Sequence, residues 1–335
     1  LGIVGPAADG ILAHTTEALA ESFDAMIENA IGAFPVPLGI ATNFTVNGKP
    51  RLIAIATEER SVIAAASKAA KLCVSPDGFT VTVGRPRTKA QILYARLADP
   101  PAVLAKLRRW RGHIEDLLRN ECNPTRKHGG DLRVEEPRFV PGDRDTLVII
   151  EITVDTADAM GANVVTRIAE RAADRLLRLF TDAKPTAVIC CNDEAGFPVE
   201  AEASFEVQGD ESLAQRVLDI HAWACHDPSR AVTHNKGVMN AVSGVALATG
   251  QDTRAIVACV HASAAKDGLY RPLTAYSAAG ATKPVPRRRL AGAHRAHGVT
   301  RPTTAISPHR VDERGYAFCI HGIGELPILL ERCTN

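Results

Sequence analysis

Apolar positions along this chain follow two periods. Thr146-Leu147-Val148-Ile149-Ile150-Glu151-Ile152, continuing to Val154, is a nearly unbroken β-branched run, and Ala187–Cys191 is a shorter one; both read as strands. Val164–Leu179 carries apolar residues at helical spacing. Ala102–Asn120 does the same with its arginines and lysines on the outward side, which predicts an amphipathic helix. The alanine-rich stretch Glu59–Leu72 predicts one buried helix. From about residue 81 to 186 strands and helices alternate. No internal repeat is evident, and the one low-complexity stretch is the Pro/Arg segment Lys283–Arg289.

Three segments set polar chemistry into these patterns. In Thr233-His234-Asn235-Lys236-Gly237-Val238-Met239-Asn240 a single lysine stands among small and polar residues, followed by Asp252 in Gly250-Gln251-Asp252. An ammonium in a partly dry site stabilises a developing oxyanion, and a nearby carboxylate keeps it charged and aimed. The alternative is a solvated lysine and an aspartate that caps a helix. In Met26-Ile27-Glu28-Asn29-Ala30-Ile31-Gly32 an acid interrupts an apolar run, so Glu28 is expected to face inward. An inward carboxylate either pairs with a cation or holds its proton, which makes Glu28 an ion-pair residue or a proton-transfer group.

The third segment is Val154-Asp155-Thr156-Ala157-Asp158-Ala159-Met160-Gly161-Ala162-Asn163, between the long strand and the helical pattern. Strand, small-residue turn and helix together form a phosphate-binding layout, because a helix start offers unpaired N–H groups and the positive dipole end. Gly161 leaves room for a ligand at the backbone, and Asp158 or Asn163 either caps the helix or binds. The segment is not Gly-x-Gly-x-x-Gly, so the usual Rossmann fingerprint is absent.

In order and spacing, Glu28–Gly32, Asp158–Asn163, Asp227-Pro228-Ser229-Arg230-Ala231-Val232-Thr233-His234-Asn235-Lys236-Gly237 and Ala248-Thr249-Gly250-Gln251-Asp252 resemble the motifs of 3-hydroxy-3-methylglutaryl-coenzyme A reductases. The soluble bacterial class II is the nearest in pattern. Glu58-Glu59-Arg60-Ser61-Val62-Ile63-Ala64-Ala65-Ala66-Ser67 looks like that family's central helix, with Arg60 where the family usually has proline. The resemblance runs from about Ala18 to Tyr276. It implies an α+β fold, with a helix-rich large domain around a central buried helix and an inserted small α/β cofactor domain whose sheet is antiparallel and not Rossmann. Residues 1–80 and 187–278 then form the large domain, 81–186 the NAD(P)-binding insertion, and 279–335 a divergent C-terminal segment.

The same resemblance implies an activity: two hydride transfers that reduce the thioester to mevalonate and free coenzyme A, or the reverse oxidation, with NADPH or NADH as cofactor and no metal. By similarity Lys236 stabilises the oxyanion, Glu28 supplies or relays the proton, and Asp252 binds and tunes both, so the carboxylates titrate as a coupled set. Arg230 matches the family's arginine for the free carboxylate of the substrate, a task for a planar bidentate donor. Thr233, Asn240 and Asn192 match polar substrate contacts, and Asp158, Met160, Gly161 and Asn163 line the cofactor site. Leu118–Gly130 aligns with the ribose-contacting segment; its Arg119, near an acid of the NADH-preferring members, favours NADPH, while the other reading is a solvated charge run. The family builds its site across a subunit interface, so a homodimer or higher homo-oligomer is expected. A catalytically incomplete member that binds cofactor or acyl-CoA without full turnover is the alternative.

Past Tyr276 the family pattern stops. Gly280-Ala281-Thr282-Lys283-Pro284-Val285-Pro286-Arg287-Arg288-Arg289 and the Arg-, His- and Pro-rich stretch beyond show no periodicity until Cys319, a change expected of a shifted reading frame or a different terminus. His294, His297, His309 and His321 stand in contexts unlike the histidine that protonates the thiolate in the family. Leu1–Ala13 does not resemble the family's substrate-contacting arm.

Composition narrows the function classes. An apolar content of 46% can fill a core, and a net charge of +1 gives no general attraction to nucleic acid or membranes. No run reaches the roughly 20 apolar residues needed to span a bilayer. The N-terminus lacks a basic-then-apolar signal, so a cytoplasmic location is expected. Eight cysteines, none in a Cys-x-x-Cys pair, read as reduced core residues. His221, Cys225 and His226 are expected to diverge around a helix and bind no metal. Arg287-Arg288-Arg289 lacks the interleaved aromatics of a nucleic-acid site.

Overall fold

The structure is a computed structural model. It describes residues 22–23, 25–30, 32–83, 87–121, 126, 130–143, 146–156, 161–180, 183–192, 199–206, 211–266, 268–278 and 317–320. Strands β1 (Leu38–Val46) and β2 (Lys49–Ala56) pair antiparallel. Asn47 and Gly48 close this hairpin at φ 48° and 74°, the left-handed pair that a two-residue type I′ turn requires. A bulge between Ala41 and Phe44 docks the hairpin on helix α1 (Val62–Leu72). There the Thr42 N–H donates to Ser67 Oγ at 3.0 Å, and Asn43 Nδ2 donates to the Ser67 carbonyl at 3.2 Å.

Helix α1 is shorter and less covered than the alanine-rich pattern suggested. Glu58–Ser61 form a turn, with Ser61 at φ 74°, so the helix starts at Val62. Only its Ala66, Ala69 and Ala70 are fully buried. Alanines on every side do not tell which face packs, whereas a helix on one layer buries one stripe.

After β3 (Thr80–Val83) the chain builds β4 (Arg87–Tyr94), α2 (Pro100–Glu121), β5 (Leu132–Val134), β6 (Arg138–Pro141), β7 (Thr146–Asp155), α3 (Gly161–Leu179) and β8 (Ala187–Cys191). The strands form one antiparallel sheet in the order β5-β7-β4-β8, with β6 also on β7. This is the split βαββαβ arrangement. Ala90, Ile92 and Tyr94 of β4 face the same side as their partners Ile152, Ile150 and Val148 of β7, and that side is buried beneath Leu107, Ile114 and Leu118 of α2 and Val165, Ile168 and Leu176 of α3. The long apolar run of β7 therefore alternates after all. Its other face carries Glu151, which pairs with Lys89 at 3.2 Å and accepts from Gln91 Nε2 at 2.9 Å.

A second core joins the hairpin and α1 to β10 (Ser204–Glu206), α4 (Glu211–His226), α5 (Pro228–Ala248) and β11 (Tyr276–Ala278); β9 (Val199–Glu202) precedes β10, and α6 (Thr253–Ala264) follows α5. Phe44 stacks on Phe79 at 5.4 Å between centroids, and Phe79 meets Phe205 edge-on at 6.0 Å. β3 pairs antiparallel with β9. β12 (Ala317–Ile320), which contains Cys319, lies between β10 and β11. The remaining residues after 278, with His294, His297, His309 and His321, lie outside the described residues. The architecture is thus a mixture of helix and antiparallel sheet around two hydrophobic cores. Among the described residues no helix is long and apolar enough to cross a membrane.

Candidate active site

Helix α5 carries the candidate chemistry. Asp227 caps it, accepting from the Ser229 N–H at 2.9 Å and from Trp223 Nε1 at 2.9 Å, with Pro228 in the first turn. Arg230, Thr233, Lys236, Gly237 and Asn240 recur at spacings of three and four, so they share one face. Ala231, His234, Asn235 and Val238 are buried on the other side. The helix lies close against β2: a Cβ at Gly244 would sit 2.6 Å from Ile55 Cγ2 and 3.1 Å from the Ala56 carbonyl oxygen, so only glycine permits the approach.

That approach brings the α5 stripe to the turn before α1. Lys236 Nζ lies 2.7 Å from Glu59 Oε2 and 3.0 Å from Oε1. Beside the pair is a small open cleft, walled by Glu59, Arg60, Ser61, Val62 and Ala65 on one side and Gly237, Asn240 and Ala241 on the other. Both charged side chains are well exposed, at 61% and 45%. An exposed pair adds little stability, so its interest is chemical: an aimed ammonium and a carboxylate meet at the mouth of one cleft.

The partner of Lys236 differs from the expected one. Asp252 is the N-cap of α6, its Oδ1 accepting from the Ala255 N–H at 3.1 Å and lying 3.8 Å from Arg254 Nε. Asp252 thus caps α6, as one of its two readings expected. Glu28 is not inward either: it sits in an exposed turn, and its apolar neighbours Met26 and Ile27 are themselves 77% and 58% exposed. The apolar run marks a surface that is exposed among the described residues. Sequence reasoning gave Glu59 no chemical role, although the Glu58-Glu59 acid pair directly before a small-residue helix was visible.

Among the expected substrate contacts, Arg230 is half-buried with its guanidinium 5.9 Å from the Trp223 ring centre, and Asn240 lines the cleft. Thr233 is exposed, its hydroxyl donating to the Ser229 carbonyl at 3.2 Å. Asn192 is exposed just beyond β8. Of the cofactor residues, Asp158 and Met160 lie outside the described residues, Gly161 opens α3 and Asn163 is exposed on its first turn. A Cβ at Gly161 would fall 2.2 Å from Thr88 Oγ1, so this glycine first of all lets the helix start pack against β4. Thr156 Oγ1, just before the helix, is buried and has no hydrogen-bond partner among the described residues. Arg119 is committed within its own module: Nε donates to Asp131 at 3.1 Å, Nη1 to Asp116 at 3.3 Å, and Nη2 to Glu115 at 2.7 Å and the Leu132 carbonyl at 3.2 Å. That network leaves it poorly placed to take a 2′-phosphate.

His221 and Cys225 do not diverge, because four residues apart they share a helix face; Cys225 Sγ lies 3.4 Å from His221 Nε2. Burial, and then the neighbouring His234, push the His221 imidazole down to about 4. Among the described residues no group of three or more His, Cys, Asp or Glu could hold a metal ion, and cysteines 73, 190, 191, 225 and 259 are free.

A family model described as hydroxymethylglutaryl-coenzyme A reductase matches residues 7–284, ending where the composition changes. The 3-hydroxy-3-methylglutaryl-coenzyme A reductase of Archaeoglobus fulgidus is 40% identical over 256 residues, 76% of this chain and 58% of that protein. The probable reductase of Borreliella burgdorferi is 36% identical over 262 residues, 75% of this chain and 58% of that protein. This chain therefore spans 58% of the length of either relative. Among solved structures, the reductase from Streptococcus pneumoniae superposes with a TM-score of 0.72 at 26% identity, covering 97% of this chain and 70% of that one. The class II reductase of the same species, bound to NADPH in open conformations, gives 0.72 at 25% identity, covering 98% and 86%. The extent of the family match and the identity to these relatives show that the chain belongs to the hydroxymethylglutaryl-coenzyme A reductase family.

Proposed function

We propose that this chain serves an NAD(P)H-dependent reductase that converts 3-hydroxy-3-methylglutaryl-coenzyme A to mevalonate and free coenzyme A, or runs the same steps in reverse, as a cytoplasmic homodimer or higher homo-oligomer. The observation that carries this reading is the Lys236–Glu59 pair at the mouth of the cleft between α1 and α5. A carbonyl oxygen that hydrogen-bonds to Lys236 Nζ is also within reach of the Glu59 carboxyl. Lys236 then stabilises the oxyanion that forms as the carbonyl is reduced, and Glu59 keeps the ammonium aimed and moves a proton to or from that oxygen. Arg230, Thr233 and Asn240, on the same helix face, take the substrate's carboxylate and polar groups, with Asn192 as a further contact.

Asp252, at the start of the next helix, is proposed as a second carboxylate bearing on Lys236. Glu28, whose exposed turn is open to a second copy, is proposed to act across the subunit interface. Residues 81–186 are proposed as the cofactor-binding insertion between the two parts of the large domain, 1–80 and 187–278. The start of α3 suits a dinucleotide phosphate: its first N–H groups have no helical partners, and the buried Thr156 hydroxyl just before it has no hydrogen-bond partner among the described residues. Asp158, Met160, Gly161 and Asn163 would hold the cofactor there, and when bound it supplies the hydride. The test is the rate of NADPH and NADH oxidation with the coenzyme A thioester, for the unmodified chain beside Lys236→Ala. Substrate-dependent oxidation that disappears in the variant is expected; oxidation that persists in the variant, or none with the unmodified chain, overturns the proposal.

A further inference from the structure

The two residues before Lys236 point the other way, into the protein, and both are polar. Asn235 is fully buried; its Nδ2 donates to the Arg271 carbonyl at 2.8 Å and its Oδ1 accepts from the Leu273 N–H at 2.8 Å. One carboxamide thus pairs with a stretch of backbone at two points, as a neighbouring strand would. His234, 1% exposed, meets Thr274 Oγ1 at 2.5 Å through Nε2, and its ring lies edge-on to Tyr276 at 6.3 Å. The clamped segment is itself tied down. The Arg271 N–H donates to the Ala264 carbonyl at the end of α6 at 2.8 Å, and Arg271 Nη1 donates to the Cys225 carbonyl in α4 at 3.2 Å.

Burying a carboxamide is costly unless every hydrogen bond is made, and an apolar residue would fill the same volume without that requirement. What the polar residue adds is direction. Leucine packing tolerates a small rotation of a helix about its axis, whereas two hydrogen bonds from one planar amide do not. Rotating α5 by about 10° would sweep a side-chain atom about 5–6 Å from the axis through roughly 1 Å. A misplacement of that size can cost on the order of 100-fold in rate. We infer that Asn235, supported by His234 and Thr274, is a positioning residue that fixes the rotation of α5 and so aims the Lys236 ammonium at Glu59 and the cleft. The inference rests on Lys236 being the oxyanion-stabilising group.

Two readouts on the full chain test it, one of them independent of turnover. Reductive methylation of lysines, followed by peptide mass spectrometry, measures how freely Lys236 reacts relative to the exposed Lys71 of α1. In Asn235→Ala the Lys236/Lys71 ratio is expected to rise about 2–5-fold, the scale of a loosened exposed ion pair, with Glu59→Gln as the reference for a broken one. In the same variant kcat per folded molecule is expected to fall up to about 100-fold, while the NADPH dissociation constant, read by fluorescence, stays unchanged. Thr274→Val, which removes only the His234 partner, is expected to move both readouts the same way by less, and serves if Asn235→Ala does not fold. A labelling ratio and a kcat per folded molecule that both stay at the unmodified values, whatever happens to the melting temperature, overturn the inference. If the unmodified chain has no reductase activity, the proposed function fails, and the labelling ratio alone decides whether Asn235 aims Lys236.

Discussion

Substituting Gly161 separates two reasons for a glycine at the start of α3. A Cβ there would lie 2.2 Å from Thr88 Oγ1 and 3.3 Å from Thr88 Cβ, while Thr156 Oγ1 at 3.5 Å is an ordinary contact. In the native background Gly161→Ala must push β4 or the helix start aside, an overpacking cost of about 1–3 kcal/mol. Against this stands a gain of about 0.5–1 kcal/mol from replacing glycine by alanine at a position whose backbone tolerates it; Gly161 is not among the positive-φ glycines. The net expectation is a loss of about 0–2.5 kcal/mol. Thr88→Ala removes the obstructing hydroxyl, so in that background Gly161→Ala should become neutral or stabilising by about 0.5 kcal/mol. Urea unfolding of the two single variants, the double variant and the unmodified chain gives the coupling energy. A cost for Gly161→Ala that is undiminished by Thr88→Ala would refute the packing account. NADPH affinity in the double variant then shows separately whether the ligand also needs the glycine.

Tyr94 is fully buried with no hydrogen-bond partner for its hydroxyl among the described residues, and burial pushes its phenol well above the usual range. Tyr94→Phe should therefore be stabilising by about 1 kcal/mol in chemical denaturation; a loss of that size would mean the hydroxyl has an acceptor. His221, lowered from 6.5 to about 4, is neutral in the folded state while the unfolded chain takes up a proton as pH falls through 6.5. Its contribution is fully present above 6.5 and declines between 6.5 and 4, by at most about 3 kcal/mol. His221→Gln should flatten the stability profile in that window; an unchanged slope would contradict the assignment. Arg119→Met should cost about 1 kcal/mol, because it leaves Glu115, Asp116 and Asp131 without their shared cation, yet leave the NADPH to NADH affinity ratio unchanged. A ratio that moves tenfold would restore Arg119 as the cofactor selector.

Long regular elements were legible in the sequence. The β-branched run at 146 and the short one at 187 fold as β7 and β8. Helices α2 and α3 follow their apolar stripes to within a few residues of the expected ends. The βαββαβ register was not legible, since strands as short as Leu132–Val134 carry too few positions to show a period. At the site, Arg230, Thr233, Lys236 and Asn240 were picked out by residue type and resemblance; that one helix, α5, sets them on a common face is a finding of the structure. Neither signal could name the carboxylate, because Glu59 is 177 residues away and only the fold brings it in. Asp252, near in sequence, was named instead, and the structure shows it capping the next helix, as an aspartate just before a helix does. The inward orientation expected of Glu28 is not found among the described residues, because an apolar run shows that something will cover it, not which element does.

The central claim is that Glu59 and Lys236 act as one catalytic pair. The decisive measurement is kcat for Glu59→Gln, which keeps the shape and a hydrogen-bond acceptor but removes the charge and the capacity to give or take a proton. The account predicts a fall of about 10²–10⁴-fold with little change in cofactor affinity. A Glu59→Gln variant that turns over at nearly the unmodified rate would contradict it, whatever Lys236→Ala does.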